Sequence, residues 1–134
     1  MRLQGKVGVV TGAGTGIGQA IAVAFAQAGA AVVVDYVGQA NVSEGTIKTI
    51  SAMGGKALGV DADISRPDDV NSLIQKAIAA FGKIDIFVNN AGIEKKIAFV
   101  DYPIEEWQKI MAVNLTGPFL CSQAAARQIC LLYT

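Results

Sequence analysis

Short β-branched runs alternate with helix-period stripes along nearly the whole chain, and this alternation narrows the possible folds more than any other feature. Lys6 to Thr11 reads Lys-Val-Gly-Val-Val-Thr and runs into a glycine-rich turn, the pattern of a buried parallel strand. Ile17, Ala20, Ile21, Ala24, Phe25 and Ala28 then recur at helical spacing, with Gly29 as the stop. Ala31 to Asp35 is a second buried strand. Asn41 and Glu44 have the spacing of a capping box, which predicts a helix through Ile47 and Ile50 that ends at Gly54 and Gly55. Lys56 to Asp61 is a third strand. Ser65 as cap and Pro67 in the first turn open a helix whose stripe, from Val70 through Leu73, Ile74, Ala77 and Ile78 to Phe81, reaches Gly82. Ile84 to Val88 is a fourth strand, and Asp101 and Pro103 announce a helix from about Ile104 with a kink at Gly117-Pro118.

Parallel neighbours need right-handed helical crossovers, so this order predicts an α/β doubly wound parallel sheet with strand order 3-2-1-4. A chain of 134 residues fits one domain, 1–134. It is expected to be the first part of a dinucleotide-binding (Rossmann) sheet, incomplete at its C-terminus, because a symmetrical sheet of that kind continues with a fifth and a sixth strand.

Between the first strand and the first helix lies Thr11-Gly12-Ala13-Gly14-Thr15-Gly16-Ile17-Gly18. Unpaired N–H groups and the helix dipole point there at an anion. Glycine has three uses in such a turn: positive φ as the chain leaves the strand, close approach to a pyrophosphate, and close packing of helix on strand. Gly12, Gly16 and Gly18 fit these uses in that order. The spacing departs from G-x-G-x-x-G, and no Gly-Lys-Ser/Thr follows, which excludes a P-loop. Asp35, closing the second strand, stands where a carboxylate accepts the adenosine-ribose hydroxyls and repels a 2′-phosphate, which favours NAD over NADP; a solvated strand end is the plainer alternative.

Composition removes other classes of function. Lys+Arg and Asp+Glu both number 11, so the zero net charge offers no bulk attraction to nucleic acid or to an anionic membrane. A chain that is 52% hydrophobic and 16% charged is built to bury itself, yet no apolar run approaches the roughly 18 residues of a membrane span. Met1 to Lys6 lacks the apolar stretch of a secretory signal, so the expected location is cytoplasmic. Histidine is absent, which removes His-based triads and most zinc chemistry, and no metal site is expected. The two cysteines, Cys121 and Cys130, suit reduced structural thiols better than a disulfide framework or a metal cluster.

Four motifs in order resemble the short-chain dehydrogenase/reductase family: Thr-Gly-x-x-x-Gly-x-Gly at Thr11 to Gly18, Asp63-Ile64, Asn89-Asn90-Ala91-Gly92, and Val113-Asn114-Leu115-Thr116-Gly117. The resemblance implies hydride transfer between NAD, or NADP, and an alcohol or sugar, in a homo-oligomer. By it, Gly12, Thr15, Gly16, Ile17 and Gly18 hold the cofactor, Asp63 contacts the adenine and Ile64 packs beside it. Asn90, Ala91 and Gly92 line the cofactor and brace the sheet, while Asn114 holds a water in the proton relay. A helix cap at Asp63, a turn at Asn89 to Gly92 and a kinked core helix at Asn114 explain each motif singly but not the set. Glu94 and the Trp107 to Gly117 helix are similar to the glucose 1-dehydrogenase-like branch, which implies a sugar or polyol and places Glu94 near nicotinamide and substrate. A solvated loop carboxylate beside Lys95 and Lys96 is the alternative.

The chain also departs from that family. Tyr36 stands where its discriminating acid usually falls, and Val37 where NADP-preferring members carry a basic residue. The family's catalytic Ser and Tyr-x-x-x-Lys pair fall beyond residue 134, and Tyr133 has no lysine four residues on. The apolar ending Ile129 to Thr134 fits a truncation or an altered reading frame. These residues alone are therefore expected to be inactive as a dehydrogenase. A nucleotide-binding module without chemistry and a dominant-negative assembly fragment are the alternatives. The fourth strand, with Trp107, Ile110 and Met111, is expected to leave an apolar edge that drives self-association.

Overall fold

The computed structural model of the protein describes residues 1–131. Four strands, β1 (Val7–Val10), β2 (Ala31–Tyr36), β3 (Ala57–Asp61) and β4 (Ile86–Val88), pair in parallel in the order β3-β2-β1-β4. The crossovers are α1 (Gly16–Gln27), α2 (Asn41–Ala52) and α3 (Pro67–Phe81); beyond β4 come a short 3-10 turn (Phe99–Asp101), α4 (Ile104–Met111) and α5 (Gly117–Leu131). This is the sheet that the alternation of patterns predicts.

Strand side chains alternate between the two faces, and each face has its own core. Val9 and Val33, paired in register, pack with Leu73 and Ile74 of α3, with Ile84 and with Ala125 of α5. Val10, Val32 and Val34 point the other way, against Ala22 and Ala26 of α1 and Ile50 of α2. Burying a side chain of this size contributes about 1.5–3 kcal/mol, so both helical layers are held chiefly by these contacts. At the start of the sheet Asp85 grips Val7 twice: its N–H donates to the Val7 carbonyl at 2.9 Å and its carboxylate accepts from the Val7 N–H at 2.8 Å. Burial pushes the Asp85 carboxyl up, but the Val7 N–H and the Lys83 ammonium, 3.1 Å away, outweigh it and hold the group below the usual carboxylate range.

Helix starts differ from expectation in two places. The capping box does not form, because Asn41 is already helical and Ala40 occupies the cap position; the Ser43 hydroxyl donates to the Ala40 carbonyl at 3.1 Å. Arg66, not Ser65, caps α3, with φ −110 and ψ 118. Pro67 forces its predecessor out of the helical region, which makes that residue the boundary. The Ser65 hydroxyl instead donates to Asp63 Oδ1 at 2.6 Å.

Where a kink is expected at Gly117-Pro118, the helix carries a π-turn over Ala112–Thr116, immediately upstream. Pro118 has no N–H to give the Asn114 carbonyl four residues earlier, and the ladder shifts register so that Gly117 N–H reaches the Ala112 carbonyl.

Candidate functional site

At the carboxyl ends of β1 and β2, the glycine turn, the ends of β2, β3 and β4, and the π-turn enclose a cleft of about 540 Å³. This lies within the usual range for small-molecule sites. Its floor is the start of α1. Thr15 takes an extended conformation as the cap residue, makes no side-chain bond to the helix, and no acidic residue follows in the first turn. The first turn therefore has neither a side-chain cap nor an acidic residue of its own, the condition under which a helix N-terminus takes an anion. Thr15, Gly16 and Ile17 are exposed along this floor, Ile17 at 75%.

The turn is held from three sides. Gly12 has φ +61, and a Cβ there would sit 2.9 Å from Ala91 Cα; a Cβ on Gly18 would collide with the Gly12 carbonyl oxygen and the Asn90 amide. Asn90 uses both amide hydrogens on the turn, donating to the Thr11 carbonyl at 3.0 Å and the Gly12 carbonyl at 3.2 Å. Fully buried Thr11 accepts from the N–H groups of Asn90 and Ala91, both at 3.0 Å, and donates to the Val88 carbonyl at 3.3 Å. From α2, the buried Thr46 hydroxyl reaches the Ala13 carbonyl at 2.9 Å and the Gly14 carbonyl at 3.2 Å. The close fit of Gly18 is thus against the turn and Asn90 rather than against a strand.

Asp35 differs most from expectation. β2 runs one residue past it, and its side chain lies beneath the turn at the inner wall of the cleft, 1% exposed. Oδ2 accepts from the Gly12 N–H at 3.3 Å, while Oδ1 is buried without a partner. Burial, against the opposing pull of the Gly12 N–H and with the help of Asp61 and Asp63, raises its pKa to about 8. Buried beneath the turn, this side chain does not present the exposed carboxylate expected to meet the ribose.

Asp63 and Ile64 also line the cleft. Asp63 Oδ1 is engaged within its own loop, accepting from the Ser65 N–H at 3.0 Å as well as from its hydroxyl. Ile64 is buried against Val70 and Cys121. Ala91 and Gly92 continue the wall, and Lys109 and Val113 close it from the helical side. Asn114 makes a two-bond pair with Ile93, its Oδ1 accepting from the N–H and its Nδ2 donating to the carbonyl, both at 2.8 Å. Its side-chain amide is thereby committed to the Ile93 loop. Glu94 is exposed and lies outside the cleft wall, which stops at Ile93; neighbouring Lys95 pairs with Glu106 at 2.9 Å.

Sequence reasoning did not single out Thr46 or Lys109 for this site, and it quoted Gly14 and Val113 within motifs without giving either a role. Nothing local to Thr46 signals this contact, which becomes readable only once α2 is seen to pack against the turn. Cys121 is fully buried, and burial pushes its thiol up to about 12, as befits an inert structural cysteine; the Cys130 side chain and Tyr133 lie outside the described residues. Among the described residues no group of three His, Cys, Asp or Glu is placed to hold a metal, and no helix is long and apolar enough to cross a membrane.

Comparison with known proteins adds the following. The family described as short chain dehydrogenase matches residues 6–130. A 3-oxoacyl-[acyl-carrier-protein] reductase of Synechocystis is 39% identical over 125 residues, covering 93% of this chain and 51% of the relative. An L-rhamnose 1-dehydrogenase (NAD(P)(+)) of Sphingomonas is 39% identical over 127 residues, covering 95% of this chain and 50% of the relative. A short chain dehydrogenase of Burkholderia cenocepacia, solved in complex with NADP, superposes with a TM-score of 0.92 at 37% identity, covering 96% of this chain and 53% of that structure. The chain spans about half the length of the relatives it matches.

Proposed function

The chain belongs to the short-chain dehydrogenase family, and from that premise we propose that it forms the dinucleotide-holding part of an NAD(P)-dependent oxidoreductase. One observation carries this reading: the uncapped start of α1 opens onto a cleft whose glycine turn leaves no room for side chains at Gly12 and Gly18. A bound nicotinamide dinucleotide supplies hydride exchange with an alcohol or carbonyl.

The residues of this chain do the holding. The N–H groups at Gly16 to Gly18 take the pyrophosphate, and Ile17, Asp63 and Ile64 flank the adenosine half. Asn90, Ala91 and Gly92 support the other half. Asn114 positions the loop at Ile93, and through it the far end of the cleft. A sugar or other polyol is the proposed substrate class, supported by the similarity to an L-rhamnose dehydrogenase, with Glu94 at its approach. A homo-oligomer is the proposed assembly.

Residues 1–134 contain no Tyr-x-x-x-Lys, so a polypeptide of these residues is expected to bind dinucleotide without turnover. Fluorescence titration with NADH, alongside an assay of NAD reduction with sugars, tests both points. Saturable binding with no turnover is the expected result. Absence of saturation by a folded chain refutes the dinucleotide reading, and turnover refutes the expectation of inactivity.

A further inference from the structure

One exposed carboxylate stands just beyond the cleft wall, next to the strand end where Tyr36 and Val37 line it. Asp61, the last residue of β3, pairs in register with Tyr36, the last residue of β2. Its Oδ1 accepts from the N–H of Gly38 at 3.1 Å, in the exposed loop that follows β2. In dinucleotide-binding sheets the end of the second strand faces the 2′ position of the adenosine ribose, where a hydroxyl meets an acid and a 2′-phosphate meets a cation. Tyr36, Val37, Gly38, Gln39 and Ala40 provide no cation there. The Gly38 N–H, a donor suited to a phosphate oxygen, is already occupied by a carboxylate.

We propose that Asp61, beside the cleft wall, determines specificity: its carboxylate, seated on Gly38, selects the dinucleotide that lacks a 2′-phosphate. This rests on the dinucleotide reading of the cleft. It also removes the task from Asp35, whose side chain lies beneath the turn and bonds to Gly12. Asp61 acts in two ways. It repels the dianionic phosphate across a solvent-exposed gap, and it withholds the backbone donor that the phosphate would need.

Two substitutions separate these effects. Asp61→Asn keeps an oxygen acceptor for Gly38 and removes the charge; Asp61→Ala removes both. Each is titrated with NADH and NADPH, with ADP-ribose and its 2′-phosphate as competitors and circular dichroism as the check on folding. The unsubstituted chain is expected to prefer NADH. Asp61→Asn is expected to narrow that preference by about tenfold, the factor that corresponds to about 1.4 kcal/mol, through tighter NADPH binding with NADH little changed. Asp61→Ala is expected to narrow it further. An unchanged ratio, equal weakening of both nucleotides, or an initial preference for NADPH overturns the role of Asp61 while leaving the cleft as a dinucleotide site. Failure of a folded chain to bind either nucleotide overturns the dinucleotide reading, and this inference with it.

Discussion

Asp35 shows how far one buried carboxyl can depart from its sequence context. Its ordinary value is 3.8 and its folded value is about 8, because burial outweighs the Gly12 N–H. Between these values the folded chain keeps a proton that the unfolded chain has released. The stabilisation is therefore fully present below about pH 4 and is lost as pH rises through about 8. The melting midpoint should fall by several degrees between about pH 5 and pH 9. Asp35→Asn should flatten that dependence, with thermal unfolding across the pH series as the measurement. A wild-type midpoint that rises over this interval would contradict the assignment. The position was legible in the sequence; its protonation was not, since it depends on the lid of backbone over the side chain.

At the scale of elements, the glycine turn is a joint between β1, α1, α2 and β4. Gly12 and Gly18 could be read from spacing, because a turn between strand and helix restricts which residues can stand there. Thr46 could not, because a threonine in the middle of α2 carries no local mark of its partner 33 residues away. Thr46→Val keeps the shape and removes the hydroxyl, leaving the Ala13 and Gly14 carbonyls without that donor. It should destabilise the fold by about 1–2 kcal/mol, read from a shift in the urea midpoint, and should weaken NADH binding more than a matched surface substitution does. A full-strength binder would mean that Asn90 and Thr11 alone hold the turn. The π-turn teaches the same lesson. Pro118 announces a disturbed helix, but only the tertiary structure shows that Asn114, inside the disturbed turn, pairs with Ile93.

The whole molecule leaves apolar surface uncovered. Phe99 is 94% exposed, Val100 88% and Trp107 54%, and among the described residues β4 pairs on one side only, with β1. With no net charge to oppose association, a polypeptide of residues 1–134 is expected to self-associate. Light scattering across a dilution series should show mass rising with concentration, and the Trp107 emission should move to shorter wavelength as it does so. A monomer at every concentration would count against this.

The sequence by itself determined the element order, the parallel sheet and the glycine positions of the turn, because strand and helix periodicity and the steric limits on φ are local properties written residue by residue. Tertiary structure decided which carboxylate lies under the turn and which is seated on the loop after β2, that Asn114 serves the Ile93 loop, and that Glu94 stays outside the cleft wall. These outcomes depend on burial and on partners distant along the chain. Asp35 and Asp61 are the same residue type at adjoining strand ends, and only the fold makes one a buried acid and the other an exposed carboxylate.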